Sequence, residues 1–395
     1  MRRLNIVVLP GVLIITVAIL LFQTAVASIA SPSSSPKNCG AWSSVASPNV
    51  GTGSNFLYSV AAISSSNVWA VGEYGNGNGS STLVEYWNGK KWGVVASPNV
   101  SSATENTLAG VTAIAANNVW AVGSSTTSNF VQQTLIEHWN GRQWSIVANP
   151  NVAALDNGLT AVSAVSATDI WAVGNSSGAN GYQTLIEHWN GTSWSIVSKP
   201  GVGMLNGVAA IATNNVWAVG SRASTNNIQT LIEHWDGRQW NVVASAGPGL
   251  ASNTLSAVAA ISANNIWAVG DFSNSVGPHA PYSPLIEHWN GKAWSIVASP
   301  TQGTSDHIGG IAAVSASNIW VVGDYTKDID PASGTYLTLI KHWNGTAWSV
   351  VNSPSPGSIA SVLVSAAAIP KTGEVWAAGF VQNDTAYQTL TEFYC

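Results

Sequence analysis

Charge and cysteine are scarce in this chain. Only 8% of its 395 residues are charged, and it has two cysteines and two methionines. Thirteen Lys/Arg against eighteen Asp/Glu leave a formal net charge of −5. No basic run occurs beyond the N-terminus. A nucleic-acid partner needs a Lys/Arg stripe to displace counterions, so the composition speaks against one. Disorder would require high charge and low hydrophobicity, whereas 46% of residues here are hydrophobic and the polar remainder is mostly Ser, Thr, Asn and Gly. No GxSxG, HExxH or phosphate-loop pattern is present, so the common nucleophile, zinc and nucleotide motifs are missing. There is one long apolar run, at the N-terminus.

That run reads as a targeting segment. A positive "MRR" precedes an apolar stretch over residues 4–22, and "AVAS" at 25–28 offers small residues for cleavage after Ala27. Residues 1–27 are therefore expected to be a signal peptide, with an uncleaved membrane anchor as the alternative. Residues 28–38, "SIASPSSSPKN", read as a Ser/Pro linker, and residues 39–395 as the folded domain. The expected location is secreted or cell-surface. Any membrane contact would run through that N-terminal segment alone.

Tryptophan organises the remainder. The motif "VWAVG" and its variants place Trp69, Trp120, Trp171, Trp217, Trp267, Trp320 and Trp376 at intervals of 46 to 56 residues. A second tryptophan sits in "EHWNG" or a variant, at Trp87, Trp139, Trp189, Trp235, Trp289 and Trp343, and a third follows five residues later. Each unit holds four short runs rich in Val, Ile and Trp, set apart by turn residues. In the third unit they are 159–166, 169–174, 183–189 and 193–198. Runs three and four are joined by Asn-Gly or Asp-Gly, which predicts a tight type I′ hairpin. Run four commonly ends in Ser-Pro or Asn-Pro, as at Pro98, Pro150 and Pro300. Proline has no N–H, so run four belongs at a sheet edge. Run one is built of small residues, as suits strands crowded around an axis. The reading is all-β: a seven-bladed β-propeller of four antiparallel strands per blade, expected to be a monomer.

The "VWAVG", "EHWNG" and "xW" strands resemble kelch and galactose-oxidase-type blades, and also tectonin-type propeller repeats. The kelch Gly-Gly doublet is missing. The copper site of galactose oxidase requires a cysteine-linked tyrosine, and the cysteines stand elsewhere. What the resemblance implies is a binding scaffold.

Function is expected on the loops between runs two and three and between blades, which vary in length. The longest are 271–283 and 324–336, carrying Asp271, His279, Tyr282, Asp324, Tyr325, Asp328 and Asp330. Asp324, Asp328 and Asp330 are a candidate calcium set, with a solvated acidic loop as the alternative. Asn55, Asn106, Asn157, Gly203, Asn253, Asp306 and Ser361 recur just before the inner strand. They are either loop caps or a polar ring at the channel mouth. Ligand-binding candidates are thus Asn55, Asn106, Asn157, Asn253, Asp271, Asp306, Asp324 and Tyr325. The five "EHW" histidines, His138, His188, His234, His288 and His342, diverge on separate blades. They are read as structural, hydrogen-bonded between blades. The preceding glutamates, with Lys341 in their place in unit six, should need partners across a blade interface. The expected function is binding of an extracellular or cell-surface glycan or protein. The alternative is a carbohydrate-active hydrolase or lyase in which Asp271 and Asp324 act as an acid–base pair. No resident cofactor is required.

The last repeat, "QTLTEFYC", lacks its fourth run, and "NCGAWSSVASPNV" at 38–50 supplies a matching one. The N-terminal strand should close the seventh blade, with Tyr394 and Trp42 in the places of the second and third tryptophans. Cys395 and Cys39 then fall at the Asn and Gly positions of the missing turn. A Cys39–Cys395 disulfide is expected to replace that turn.

Overall fold

A computed structural model describes residues 40–152, 156–178, 181–197, 201–277, 280–328 and 334–395. The expected signal peptide and linker, with Cys39, His279 and Asp330, lie outside the described residues. Among the described residues, twenty-eight strands, β1 to β28 in chain order, form seven four-stranded antiparallel sheets arranged as a ring of blades. Blade one comprises β2 (Asn55–Ser64), β3 (Asn67–Gly75), β4 (Ser80–Trp87) and β5 (Trp92–Val94). Five blades repeat that order. The seventh runs β26 (Ala360–Ala368), β27 (Val375–Gln382), β28 (Tyr387–Tyr394) and then β1 (Trp42–Val45), so the N-terminal strand supplies its outer edge. Trp42 pairs with Tyr394, and the Gly40 N–H donates to the Cys395 carbonyl at 2.8 Å.

The tryptophans form the seams between blades. Trp69 of blade one packs against Trp139 and Trp144 of blade two, with ring centroids 5.0 and 5.5 Å apart. The contact recurs around the ring. At closure, Trp320 of blade six meets Tyr394 and Trp42 of blade seven at 4.4 and 5.5 Å. Trp376 of blade seven meets Trp87 and Trp92 of blade one at 4.9 and 5.1 Å. Offset and edge-on contacts of this kind add ~0.5–1.5 kcal/mol each beyond the area they bury.

Two local rules position the channel. The glycine of "WAVG" is not a turn residue. A Cβ on Gly72 would stand 1.9 Å from the Phe56 carbonyl oxygen, so only glycine lets the two strands approach. Opposite it the inner strand bulges, with register slips such as Leu57/Ser59 in blade one and Ile308/Gly310 in blade six. The extra residue turns two successive positions toward the axis. Tyr58 and Ser59, Gly309 and Gly310, and their counterparts thereby line the central cavity, of about 230 Å³.

The hairpins between strands three and four are not two-residue type I′ turns. Four residues, 88–91, lie between the paired Trp87 and Trp92. Asn88 Oδ1 accepts the N–H groups of Lys90 and Lys91 at 3.0 and 3.1 Å, and Gly89 alone takes positive φ, at 88°. The asparagine works through its side chain, so the loop needs one left-handed residue instead of two.

Candidate functional site at the channel mouth

The level above the cavity sets one blade apart from another. Phe56 stacks on the channel-lining Tyr58, with centroids 5.9 Å apart and planes 7° apart. Each blade contributes at this level one inner-strand residue and its register partner on strand two. The pairs are Phe56–Glu73, Thr107–Ser124, Gly158–Asn175, Met204–Ser221, Thr254–Asp271, His307–Asp324 and Val362–Phe380. The resulting rim is lopsided. Asp271, His307, Asp324, Phe380, Phe56 and Glu73 follow one another around a single arc from blade five to blade one. The opposite arc, from Thr107 to Thr254, has neither an aromatic nor an ionisable side chain.

At the blade five–six end of the arc, the strands concerned are β19 (Asn265–Ser273), β22 (Ser305–Ser315) and β23 (Asn318–Thr326). His307 Nδ1 donates to Asp271 Oδ2 at 3.2 Å, and the Ile308 N–H donates to Asp271 Oδ1 at 2.7 Å. Tyr282 lies over the imidazole at 4.7 Å between centroids. Burial works against an imidazolium here. The hydrogen bond and charge of Asp271, with the charges of Asp324 and Asp306, outweigh it and hold His307 up to about 9. His307 is therefore charged at neutral pH, with its side chain 29% exposed. Burial lifts the Asp324 carboxyl to about 6, against the pull of His307. Asp324 lies deep in the ring yet keeps some accessible surface, and it finds no hydrogen-bond partner among the described residues.

Blade six departs from its sister blades just beneath. Asp306 stands where four blades have asparagine, and Lys341 stands where six have glutamate. Both are buried, and Lys341 Nζ lies 3.4 Å from Asp306 Oδ2. Lys341 also donates to Ser299 Oγ at 3.3 Å and to the Pro300 carbonyl. Burial lowers the lysine pKa, with the Asp306 charge opposing. Charge reversal at one position is thus matched by a new charge at the other.

The polar ring foreseen at Asn55 and its counterparts serves the incoming loops. Asn55 is 1% exposed; its Oδ1 accepts from the Val50 N–H at 2.8 Å and its Nδ2 donates to the Gly53 carbonyl at 2.9 Å. Asn106 accepts from the Val100 N–H, Asn157 from Val152 and Asn253 from Gly249. Asp306 accepts from the N–H groups of Gln302 and Gly303. Side chains alternate along a strand, so the channel-facing residue is the next one along, Phe56 or His307. Tyr325 is buried in the apolar core between blades five and six. Asp271 and Asp324 both lie beside His307 at the rim, the first by a hydrogen bond and the second as its register partner. Asp328 is used by its own loop, accepting from the Thr335 N–H at 2.8 Å. No metal-holding group of His, Cys, Asp or Glu occurs among the described residues. His307 and Phe56 were absent from the sequence-derived site, because they fall at an inner-strand position that varies from blade to blade. Tyr282 was named there only as a residue of the loop 271–283, and tyrosine recurs at its position as Tyr182, Tyr336 and Tyr387.

The "EHW" histidines bond within their blade rather than between blades. His138 Nε2 lies 2.9 Å from Asn118 Oδ1, which also accepts the Trp120 indole N–H at 2.8 Å, and His138 stacks on Trp120 at 4.3 Å. Burial lowers the pKa of His138, His234, His288 and His342, which suits neutral donors. The glutamates are fully buried. Among the described residues three find a partner on the preceding blade: Glu137 accepts from Ser97 at 2.5 Å, Glu187 from Asn149 at 3.4 Å and Glu287 from Ser245 at 2.8 Å. Burial lifts Glu137, Glu187 and Glu392 to about 8, and Glu233 and Glu287 to about 7.

No protein-family model and no curated protein matches the chain in sequence. Solved structures match its fold. YCF48 from Cyanidioschyzon merolae aligns with TM-score 0.53 and 14% identity over 90% of this chain and 99% of that one. A YCF48 bound to D1 peptide aligns with TM-score 0.53 and 14% identity over 90% of this chain and 95% of that one. The GH74 enzyme of Niastella koreensis aligns with TM-score 0.52 and 13% identity over 88% of this chain and 55% of that one. At such identities the likeness is one of fold.

Proposed function

We propose that this protein is an exported binding module that takes an extracellular or cell-surface ligand, a glycan or a protein, at the channel mouth. The lopsided rim carries the reading. Seven blades of nearly one sequence close the ring, and closure asks the same of each. Side chains that break the repeat, and gather on one arc, serve something other than closure. The propeller neighbours include a peptide-bound protein, so this scaffold is compatible with recognition. Export is supported by the pattern of residues 1–27. A Cys39–Cys395 bridge is supported by the Gly40–Cys395 hydrogen bond, which brings the chain beside Cys39 to Cys395. A glycan array and a panel of secreted-protein baits, probed with the purified protein and with His307→Thr, test the function. A ligand held equally by both proteins overturns the assignment to this rim.

A second reading, a carbohydrate-active hydrolase or lyase, draws on one observation. Asp271 and Asp324 flank His307, and Asp324 retains its proton to about 6, as a general acid does. Incubation with a polysaccharide panel tests it. Turnover that Asp324→Asn abolishes would favour the enzyme.

A further inference from the structure

The end of the arc at blades seven and one carries a three-ring aromatic platform at the rim that no other blade interface has among the described residues. Phe56 meets Phe380 at 5.2 Å and Tyr387 at 4.9 Å, and Phe380 meets Tyr387 at 5.5 Å. All three rings are partly exposed. At the interface of blades two and three the equivalent positions are Gly158, Ser124 and Gln132, with Gln132 bonded to Ser124 at 2.9 Å beside Gly158, so the fold does not need the rings. One blade back, the platform gives way to Val362 and then to Asp324 and His307, through the register pairs Val362–Phe380 and His307–Asp324. The Asp324 carboxylate feels the charge of His307 but has no hydrogen-bond partner among the described residues.

We infer, resting on the binding function proposed above, that this arc binds a neutral saccharide chain: one pyranose face lies on Phe56 and Tyr387, and hydroxyls of a neighbouring sugar meet Asp324 and His307. A pyranose presents an apolar C–H face and a hydroxyl edge within one ring, which matches rings beside a carboxylate and an imidazolium. The charge count selects neutral sugars. Asp271, Asp306, Asp324 and Glu73 outnumber His307 and Lys341, so a uronate or sulfated chain would meet net repulsion. A protein ligand would meet a narrow rim that engages one or two side chains, whereas an oligosaccharide can span the arc.

The test is isothermal titration calorimetry with neutral gluco-, xylo- and manno-hexaoses, with uronate hexaoses and with a basic peptide. The variants are Phe56→Thr, Tyr387→Gln and Asp324→Asn. The first two introduce residues that blade two already carries, and retained thermal unfolding shows that they fold. The expected result is that a neutral hexaose binds and that each variant weakens it about tenfold or more, the scale of one stacking or charged contact. Tighter binding of uronates, or binding of the peptide alone, that the same variants abolish overturns the saccharide class and leaves the rim assignment standing. A neutral hexaose bound equally by all variants overturns both. If no neutral hexaose binds at millimolar concentration, the saccharide inference falls and the protein-ligand form of the binding function remains.

Discussion

His307 Nδ1 on blade six donates to Asp271 Oδ2 on blade five across 3.2 Å, 36 residues apart in sequence. The bond fastens two blades at the channel mouth and keeps the imidazole charged. His307→Thr copies blades two and five, which carry Thr107 and Thr254. It should therefore leave thermal unfolding within a few degrees of wild type while ligand binding falls. In the wild type, affinity should hold through neutral pH and decline as His307 loses its proton near 9. Titrations across that range check this. An affinity flat through pH 10 rules out a role for the imidazolium.

The buried glutamates predict a protein weaker in mild alkali. Their pKa values are raised from 4.5 to about 7 or 8, so the folded state holds protons that the unfolded chain releases. This contribution is fully present below 4.5 and is lost as pH rises through about 7 to 8. His307, raised from 6.5 to about 9, adds stability that is full below 6.5 and is lost through 9. Four histidines with lowered pKa values oppose the trend, but only below their unfolded value of 6.5. The melting temperature should therefore drop clearly between pH 6.5 and 9. Scanning calorimetry at the two values decides it, and an equal or higher midpoint at pH 9 counts against the account.

Lys341 and Asp306 should behave as one unit. Lys341→Glu alone sets a second acid beside the buried Asp306 and should cost about 3–5 kcal/mol, the usual result of breaking a buried pair. Adding Asp306→Asn restores the arrangement of blades one, two, three and five and should recover most of that loss. Denaturant unfolding of both singles and the double gives the coupling. A double variant no more stable than Lys341→Glu refutes it.

The proposed Cys39–Cys395 bridge closes the ring covalently. For a loop of this length the entropic model assigns about 6 kcal/mol, at or above the upper end found for disulfides. Cys395→Ser should lower the unfolding midpoint and loosen the edge strand β1. Non-reducing mass spectrometry of the protein purified under oxidising conditions should show two fewer hydrogens than the dithiol. Two free thiols would end the proposal.

Much of the architecture was legible because the repeat is local. Turn residues, "VWAVG" and the paired tryptophans lie within one 50-residue unit, and their spacing predicts four strands without reference to the other units. The closure at Trp42 followed because "NCGAW" aligns with "NGKKW", and the contact of Trp42 with Trp320 occupies the same seam as those of Trp144 and Trp194. The hairpin type was not legible, since Asn-Gly suits two geometries and a side-chain hydrogen bond chooses between them.

The site was only half legible. Asp271 and Asp324 stood out on long loops, while His307 sat inside a strand and looked like any inner-strand residue. Asn55 and its counterparts recur, and recurrence drew the eye to them. A one-residue step along a strand changes the face, so Asn55 caps a loop while Phe56 faces the channel.

By itself the sequence determined the blade count, the strand order and the seams, because each repeat carries its own apolar pattern and seven of them must bury one another. Only the tertiary structure decided that Asp271, His307, Asp324, Phe380 and Phe56 share an arc. They come from blades five, six, seven and one, and the ring geometry alone brings residues so distant in the chain to one rim.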